Sequence, residues 1–126
     1  MTMDWREIDL FRGIDLNDSF VLGWHYEGDR LVFNLEVSVW PESKYYYAPK
    51  DGEYTCYRKG NLIFEGVKSV QGLLSMAEAN RSTDASGECD YGNIDTLLIQ
   101  PESVQIIGDF GSVEIAGGTC ALSIST

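Results

Sequence analysis

Residues 19–40 alternate between apolar and polar side chains with a period of two, and this stretch constrains the fold more than any other part of the chain. Such alternation is typical of half-buried antiparallel strands. The stretch divides at a turn around Gly28, and glycine adopts the positive φ of tight hairpin turns at no steric cost. We therefore predict a β-hairpin that pairs residues 19–27 with residues 30–40 and seeds an all-β domain.

The same alternation predicts which side chains share a face of the hairpin, because successive strand residues point to opposite sides. In the second strand, one face is predicted to hold Leu31, Phe33, Leu35, Val37 and Val39. In the first strand, one face is predicted to hold Phe20, Leu22, Trp24 and Tyr26, and the other to hold Val21, Gly23, His25 and Glu27.

The rest of the chain repeats short apolar runs between turn-forming residues. Further strands are predicted at 54–59, 62–68, 94–100, 103–107, 112–116 and 119–125, with a hairpin turn at Gly60-Asn61 and long loops at 41–53 and 80–92. Asp4 and Glu7 have the spacing of a capping box, which predicts a short helix at about 4–11. Residues 69–77 are ambiguous, because their helical spacing is weakened by a glycine. We predict one domain, residues 1–126, that is mainly β: an antiparallel sandwich or open barrel with one or two short helices.

The charge balance limits the partners that the chain can bind. Nine basic and twenty acidic residues give a net charge of −11, and residues 82–126 carry seven acids without a lysine or arginine. Nucleic-acid backbones and anionic membrane surfaces would be repelled. An acidic surface can serve solubility alone. It can also attract a basic protein partner through its negative electrostatic field.

The inventory of reactive side chains is small. Cys56, Cys89 and Cys120 are widely spaced, and with His25 as the single histidine they provide too few soft ligands for a zinc site. We expect three free thiols, a cytoplasmic protein, and neither metal nor cofactor. His25 and Glu27 share a strand face, but such a pair alone is not a catalytic constellation. We therefore expect a protein that is not an enzyme.

One candidate binding surface is aromatic. Trp40, Tyr45, Tyr46 and Tyr47 surround one loop, and consecutive tyrosines cannot all face the core. Aromatic residues at this density are typical of interface anchors. They would also suit stacking on sugars, and some of them would cover an open end of the core.

The second candidate surface is the acidic stretch 84–95. It carries Asp84, Glu88, Asp90 and Asp95 without a base. The spacing of its oxygen donors approaches that of a twelve-residue calcium loop, but Cys89 occupies the sixth position, where the sharp turn needs glycine. A solvated acidic loop and a surface that receives lysine and arginine from a partner are the other interpretations.

The order of these parts resembles a known group of proteins. The resemblance rests on Trp5, the hairpin SFVLGWHYEGDRLVFNLEV, the strand end LIFEGVKSV and the late string GDFGSVEI. In this order they are similar to small acidic β-rich immunity proteins of bacterial polymorphic-toxin and contact-dependent inhibition loci, and to uncharacterised bacterial domains often found beside such genes. The resemblance implies a cytoplasmic, non-catalytic inhibitor that neutralises one basic toxin domain. The alternative is a small-ligand or carbohydrate-binding β module that uses the aromatics from Trp40 to Tyr47.

Overall fold

The computed structural model describes residues 2–43, 46, 56–79, 82–83 and 89–124, and these residues form β-strands and two short 3₁₀ helices. The helices are Trp5–Glu7 and Asp9–Phe11. The strands are β1 (Met3–Asp4), β2 (Ile14–Glu27), β3 (Arg30–Val39), β4 (Cys56–Glu65), β5 (Ser69–Gln71), β6 (Ser82–Thr83), β7 (Cys89–Asp90), β8 (Ile94–Ile99), β9 (Ser103–Gly108), β10 (Gly111–Ala116) and β11 (Thr119–Ile124).

The strands build two antiparallel sheets that pack face to face. A five-stranded sheet has the order β1-β8-β9-β10-β5, a four-stranded sheet has the order β11-β4-β3-β2, and β6 and β7 form a small separate ladder. The predicted β-sandwich with short helices is confirmed. The predicted capping box is also present: the Glu7 carboxylate accepts from the Asp4 N–H at 3.1 Å, and the Asp4 carboxylate accepts from the Arg6 N–H at 3.0 Å.

The predicted hairpin is confirmed, with Glu27 opposite Arg30 and Gly28 at φ +62° in the turn. All five side chains predicted for one face of β3 are buried. The predicted face of β2 is wrong, because Val21 and Trp24 are both buried although they are three residues apart. Between them, Val21 opposes Leu35 and Gly23 opposes Asn34, so β2 contains one extra residue. A β-bulge of this kind moves every later side chain to the other face.

A second, wider bulge lies between Asp15 and Phe20, and the buried Ser19 hydroxyl holds it together. Ser19 Oγ donates to the Asp15 carbonyl at 2.7 Å and accepts from the Ser38 N–H at 2.9 Å. The Ser38 hydroxyl and the Tyr57 hydroxyl both donate to Asp18 Oδ2, at 3.1 and 3.3 Å. The bulge is therefore anchored by polar groups of β3 and β4.

The end of the wide bulge also joins β2 to the segment between β7 and β8. Val21 N–H donates to the Gly92 carbonyl at 2.8 Å, and Tyr91 N–H donates to the Val21 carbonyl at 2.8 Å. The Asn93 side-chain amide donates to the Ser19 carbonyl at 2.7 Å. These bonds tie β2 to the residues that lead into β8 of the five-stranded sheet.

One prediction for the middle of the chain is wrong, and the structure resolves the segment that the sequence left ambiguous. Gly60-Asn61 is not a turn, because β4 continues through it and pairs with β3 along its whole length. Gly60 is there for space: a Cβ at this position would lie 2.7 Å from the Ser123 carbonyl oxygen of β11. Residues 69–79 contain β5 followed by turns rather than a helix, and Gly72 has φ +87°. The late strands β8 to β11 lie where they were predicted.

Candidate functional site

Three large apolar side chains are exposed at one end of the sandwich. Tyr26 is 44% exposed, Leu74 is 36% exposed and Met76 is 43% exposed, and we call them the apolar patch. All three lie on or beside the second half of β2. Trp24 Nε1–H donates to the Leu74 carbonyl at 2.9 Å, and the Met76 side chain lies against Gly23, where an added Cβ would be 3.3 Å from its methyl carbon. Tyr26 follows two residues later on the same strand.

Trp24 belongs to a cluster of packed aromatic side chains in the core beside the patch. Trp24 packs edge-on against Tyr91 and Phe110, with ring centroids 4.9 and 5.9 Å apart, and Phe33 lies 6.4 Å from it. Phe33 and Phe110 are fully buried, with centroids 4.9 Å apart. Side chains held by such packing have little freedom to lose on binding, which favours a preformed contact surface.

The segment that carries Leu74 and Met76 is fixed by hydrogen bonds. Leu74 N–H donates to the Phe110 carbonyl at 2.9 Å, which ties the segment to the turn between β9 and β10. Beyond Met76, Ser75 and Glu78 cap each other: Ser75 N–H donates to the Glu78 carboxylate at 3.2 Å, and Glu78 N–H donates to the Ser75 hydroxyl at 3.2 Å. The patch is therefore part of the folded body.

Four exposed carboxylates are close in the chain to the patch residues or to the aromatic cluster. Glu27 and Asp29 lie in the β2–β3 turn beside Tyr26, Glu78 follows Met76, and Asp109 precedes Phe110. We call these four residues the acidic rim. Hydrogen bonding with Ser75, first through its side chain and then through its backbone, holds the pKa of Glu78 below its usual value. Of the nearby bases, Arg30 is engaged with Glu65 at 3.5 Å.

The predicted aromatic surface is only partly described. Trp40 is 41% exposed and follows β3, where its N–H donates to the Gly13 carbonyl at 2.8 Å. Tyr46 is half-buried and packs against the core. Tyr45 and Tyr47 lie outside the described residues. Trp40 is therefore the described aromatic that fits the predicted exposed anchor, and Tyr46 also contributes to the core.

The predicted acidic surface is also partly described. Asp90 is half-buried and its Oδ1 accepts from the Gly92 N–H at 2.9 Å, whereas Asp95 is exposed at the start of β8. Asp84 and Glu88 lie outside the described residues, so the three interpretations of this stretch stay open. Among the described residues, no group of three or more histidine, cysteine or acidic side chains is arranged to hold a metal ion.

The described residues of the two predicted surfaces lie near different parts of β2. Trp40 follows Val39, which pairs with Ile14, whereas Tyr91, the neighbour of Asp90, bonds to Val21, which opposes Leu35. Val39 and Leu35 are four residues apart on β3, which corresponds to about 14 Å.

The two thiols whose side chains are described differ from reactive cysteines. Cys56 is buried and Cys120 is half-buried. Burial raises the pKa of the Cys120 thiol to about 12, so it is protonated at neutral pH and a poor nucleophile. His25 is exposed opposite Val32 on the neighbouring strand.

The apolar patch was missed in the sequence for two reasons. Tyr26 shares a strand face with Trp24, which is buried, so the alternation gives no sign that Tyr26 is exposed. Leu74 and Met76 lie in the ambiguous segment 69–77, whose helical spacing does not match the turns that the structure has there.

Comparison of the chain with protein-family models, with curated proteins and with solved structures finds no significant match. Within the described residues, no helical segment has the length and apolar character needed to cross a membrane.

Proposed function

We propose that this protein is a non-catalytic, protein-binding inhibitor that neutralises a cognate basic toxin domain, as a cytoplasmic immunity protein does. The observation that carries the proposal is the exposed apolar patch together with the exposed carboxylates of the acidic rim. Protein interfaces typically have an apolar centre and a polar border. Exposed apolar patches with polar residues beside them are typical of interaction sites.

The apolar patch supplies the anchor residues of this proposed interface. Tyrosine and methionine are enriched in protein interfaces relative to the rest of the surface. Tyr26 offers a large ring with few rotatable bonds, and Met76 adapts its shape to a partner. Because the underlying Trp24 cluster is already ordered, docking would immobilise little more than the three patch side chains.

The acidic rim supplies the selectivity for a basic partner. Its four carboxylates add to the field of a chain with net charge −11. A field of this sign accelerates association with a basic surface, such as the cleft of a nuclease, and repels acidic proteins. Exposed charges beyond about 8 Å are largely screened at physiological ionic strength. We therefore expect the association rate to fall steeply with salt and the dissociation rate to change less.

The test uses the product of a toxin gene adjacent to the gene of this protein. The toxin domain is expressed with and without the protein, growth is followed, and binding is measured by surface plasmon resonance at several salt concentrations. The proposal predicts that growth is rescued and that the complex weakens as salt rises. A neighbouring toxin that remains lethal and unbound would refute it.

Matched variants separate the anchors from the charges. Met76→Ala should speed dissociation about fivefold or more if Met76 is an anchor, since such residues contribute over 1 kcal/mol. Met3→Ala is the control, because Met3 is 37% exposed but lies on β1, away from the patch. Glu27→Gln should slow association and flatten the salt dependence, and Glu114→Gln, which removes the same charge from the outer face of β10, should not. Equal effects of patch and control variants would contradict the assigned surface.

A second candidate function is a carbohydrate-binding module, and the exposed Trp40 favours it. Just beyond Trp40, an open cleft of about 430 Å³ is lined by Asp9, Arg12 and Glu42 beside Leu10. An aromatic ring near such polar groups suits a sugar. Calorimetric titration with a panel of oligosaccharides distinguishes the two candidates, because sugar binding that Trp40→Ala abolishes, without binding to the toxin domain, would favour the module.

A further inference from the structure

The edges of the two sheets are protected unequally. Unpaired strand edges are templates for pairing with another chain, and natural proteins protect them with short strands, charges, proline or covering segments. The edge strands β1 and β5 are two and three residues long. The edge of β2 is bonded to residues 91–93 between Ser19 and Val21, and β2 also contains two bulges and ends on the charged Glu27. Among the described strands, β11 has β4 as its one neighbour, and no described strand pairs with its other edge along six residues.

The sequence of β11 lacks the usual protection. Residues 119–124, TCALSI, contain neither a charge nor a proline, and their exposure alternates regularly, so β11 is a straight strand. Cys120, Leu122 and Ile124 are half-buried against the core, and the side chains between them are small and exposed. A strand with these properties is suited to extending the sheet by one more strand.

The surroundings of β11 are nearly neutral. The cleft beside its Ile124 end is lined by Asp9, Arg12 and Glu42, and the cleft of about 580 Å³ at its Thr119 end by Lys68 and Glu102. Three acids and two bases give a local net charge of −1, whereas the whole chain has −11. A second copy of this acidic protein would be repelled over most of its surface, but not at β11.

We propose that β11 is a self-association edge, where it pairs antiparallel with β11 of a second copy around a two-fold axis. The occupant must offer an open, uncharged strand edge, and the described part of the chain has such an edge in β11 itself. Antiparallel pairing suits identical strands, because the same row of N–H and C=O groups meets itself in reverse order. The near-neutral Thr119 end of each copy then meets the Ile124 end of the other, and two four-stranded sheets become one of eight strands.

The axis position follows from the faces of the strand. Continuity of the sheet requires inner residues to oppose inner residues, so the axis passes through Ala121 or Leu122. With the axis at Leu122, Cys120 opposes Ile124 of the partner subunit. Either position buries the half-exposed apolar side chains of β11 against their copies. This inference does not depend on the proposed function, because it uses a different surface and the opposite response to salt.

Analytical ultracentrifugation over a concentration series measures the dimer directly. We expect a species of twice the 14.1 kDa chain mass at high concentration. Raising sodium chloride from about 0.1 to about 1 M shortens the Debye length from ~10 to ~3 Å, and should leave this dimer unchanged or strengthen it. The proposed toxin complex should weaken over the same range, so the two ideas fail separately. A monomer at every concentration up to about 1 mM would overturn the proposal.

A charge placed on the edge tests its location. Ala121→Lys puts lysines from both copies close together, and like charges across strands are destabilising, so the dissociation constant should rise about tenfold. Ser112→Lys, on the exposed face of the interior strand β10, adds the same charge and should leave it unchanged. If Ala121→Lys does not fold, hydrogen exchange of the natural protein decides: amides of 119–124 should exchange more slowly at high concentration. A dimer unaffected by Ala121→Lys, or exchange independent of concentration, would refute this edge.

Discussion

Removing the Ser19 hydroxyl tests the polar anchor that holds the wide bulge of β2. Ser19 is fully buried, and its Oγ accepts from the Ser38 N–H and donates to the Asp15 carbonyl. In Ser19→Ala the buried Ser38 N–H loses its acceptor, which costs about 1–3 kcal/mol. The lost bond to Asp15 adds about 0.5–1.5 kcal/mol. Together we expect the free energy of unfolding to fall by about 2–4 kcal/mol.

Urea unfolding monitored by tryptophan fluorescence measures this loss, since Trp24 lies in the core next to the bulge. For a chain of this length, each kcal/mol corresponds to a fall in the melting temperature of roughly 4 °C, so a drop of about 8–16 °C is expected. Ser112→Ala is the control, because Ser112 is exposed on β10 and its removal should change stability by less than about 0.5 kcal/mol.

Hydrogen exchange adds a local reading of the same variant. Because the bulge positions β2 against residues 91–93, the amides of Val21 and Tyr91 should exchange faster in Ser19→Ala than the loss of global stability predicts. A change below about 0.5 kcal/mol in Ser19→Ala, equal to its control, would show that this hydroxyl does not hold the bulge.

The remaining predictions concern packing, backbone and pH. Phe33→Ala should cost about 3–5 kcal/mol in urea unfolding because Phe33 is fully buried, whereas Phe20→Ala, on the outer face, should cost clearly less; equal losses would contradict the faces assigned to the hairpin. Gly118→Ala should destabilise the protein more than Gly28→Ala in the same assay. Both glycines have positive φ, but an added Cβ at Gly118 would lie 2.4 Å from a backbone carbonyl oxygen, whereas at Gly28 it would have no neighbour within 4 Å. The reverse order would refute the steric argument. Burial raises the pKa of the Cys120 thiol from 9.0 to about 12. The protonated thiol therefore favours the folded state below pH 9, and this contribution is lost as the pH rises from about 9 to about 12. Cys120→Ala should lose less stability than the parent protein over that pH range, and an equal loss would contradict this prediction.

The local structural elements of this protein can be predicted from its sequence. The period of two in β3, the turn glycine Gly28 and the capping pair Asp4 and Glu7 each act between neighbouring residues, so a window of a few residues was enough to predict them. The fold class followed from the number and spacing of such windows.

The tertiary structure decided what depends on distant partners. The bulge that moves Trp24 into the core is stabilised by the ring of Phe110, and Gly60 stays in a strand because β11 passes close to it. The apolar patch exists because Leu74 bonds to Trp24 and to Phe110, residues 50 and 36 positions away. The residue pattern of one strand does not show which distant backbone groups or aromatic rings will contact that strand. These tertiary contacts determine the faces of the strands, the bulges and the exposed surface of this protein.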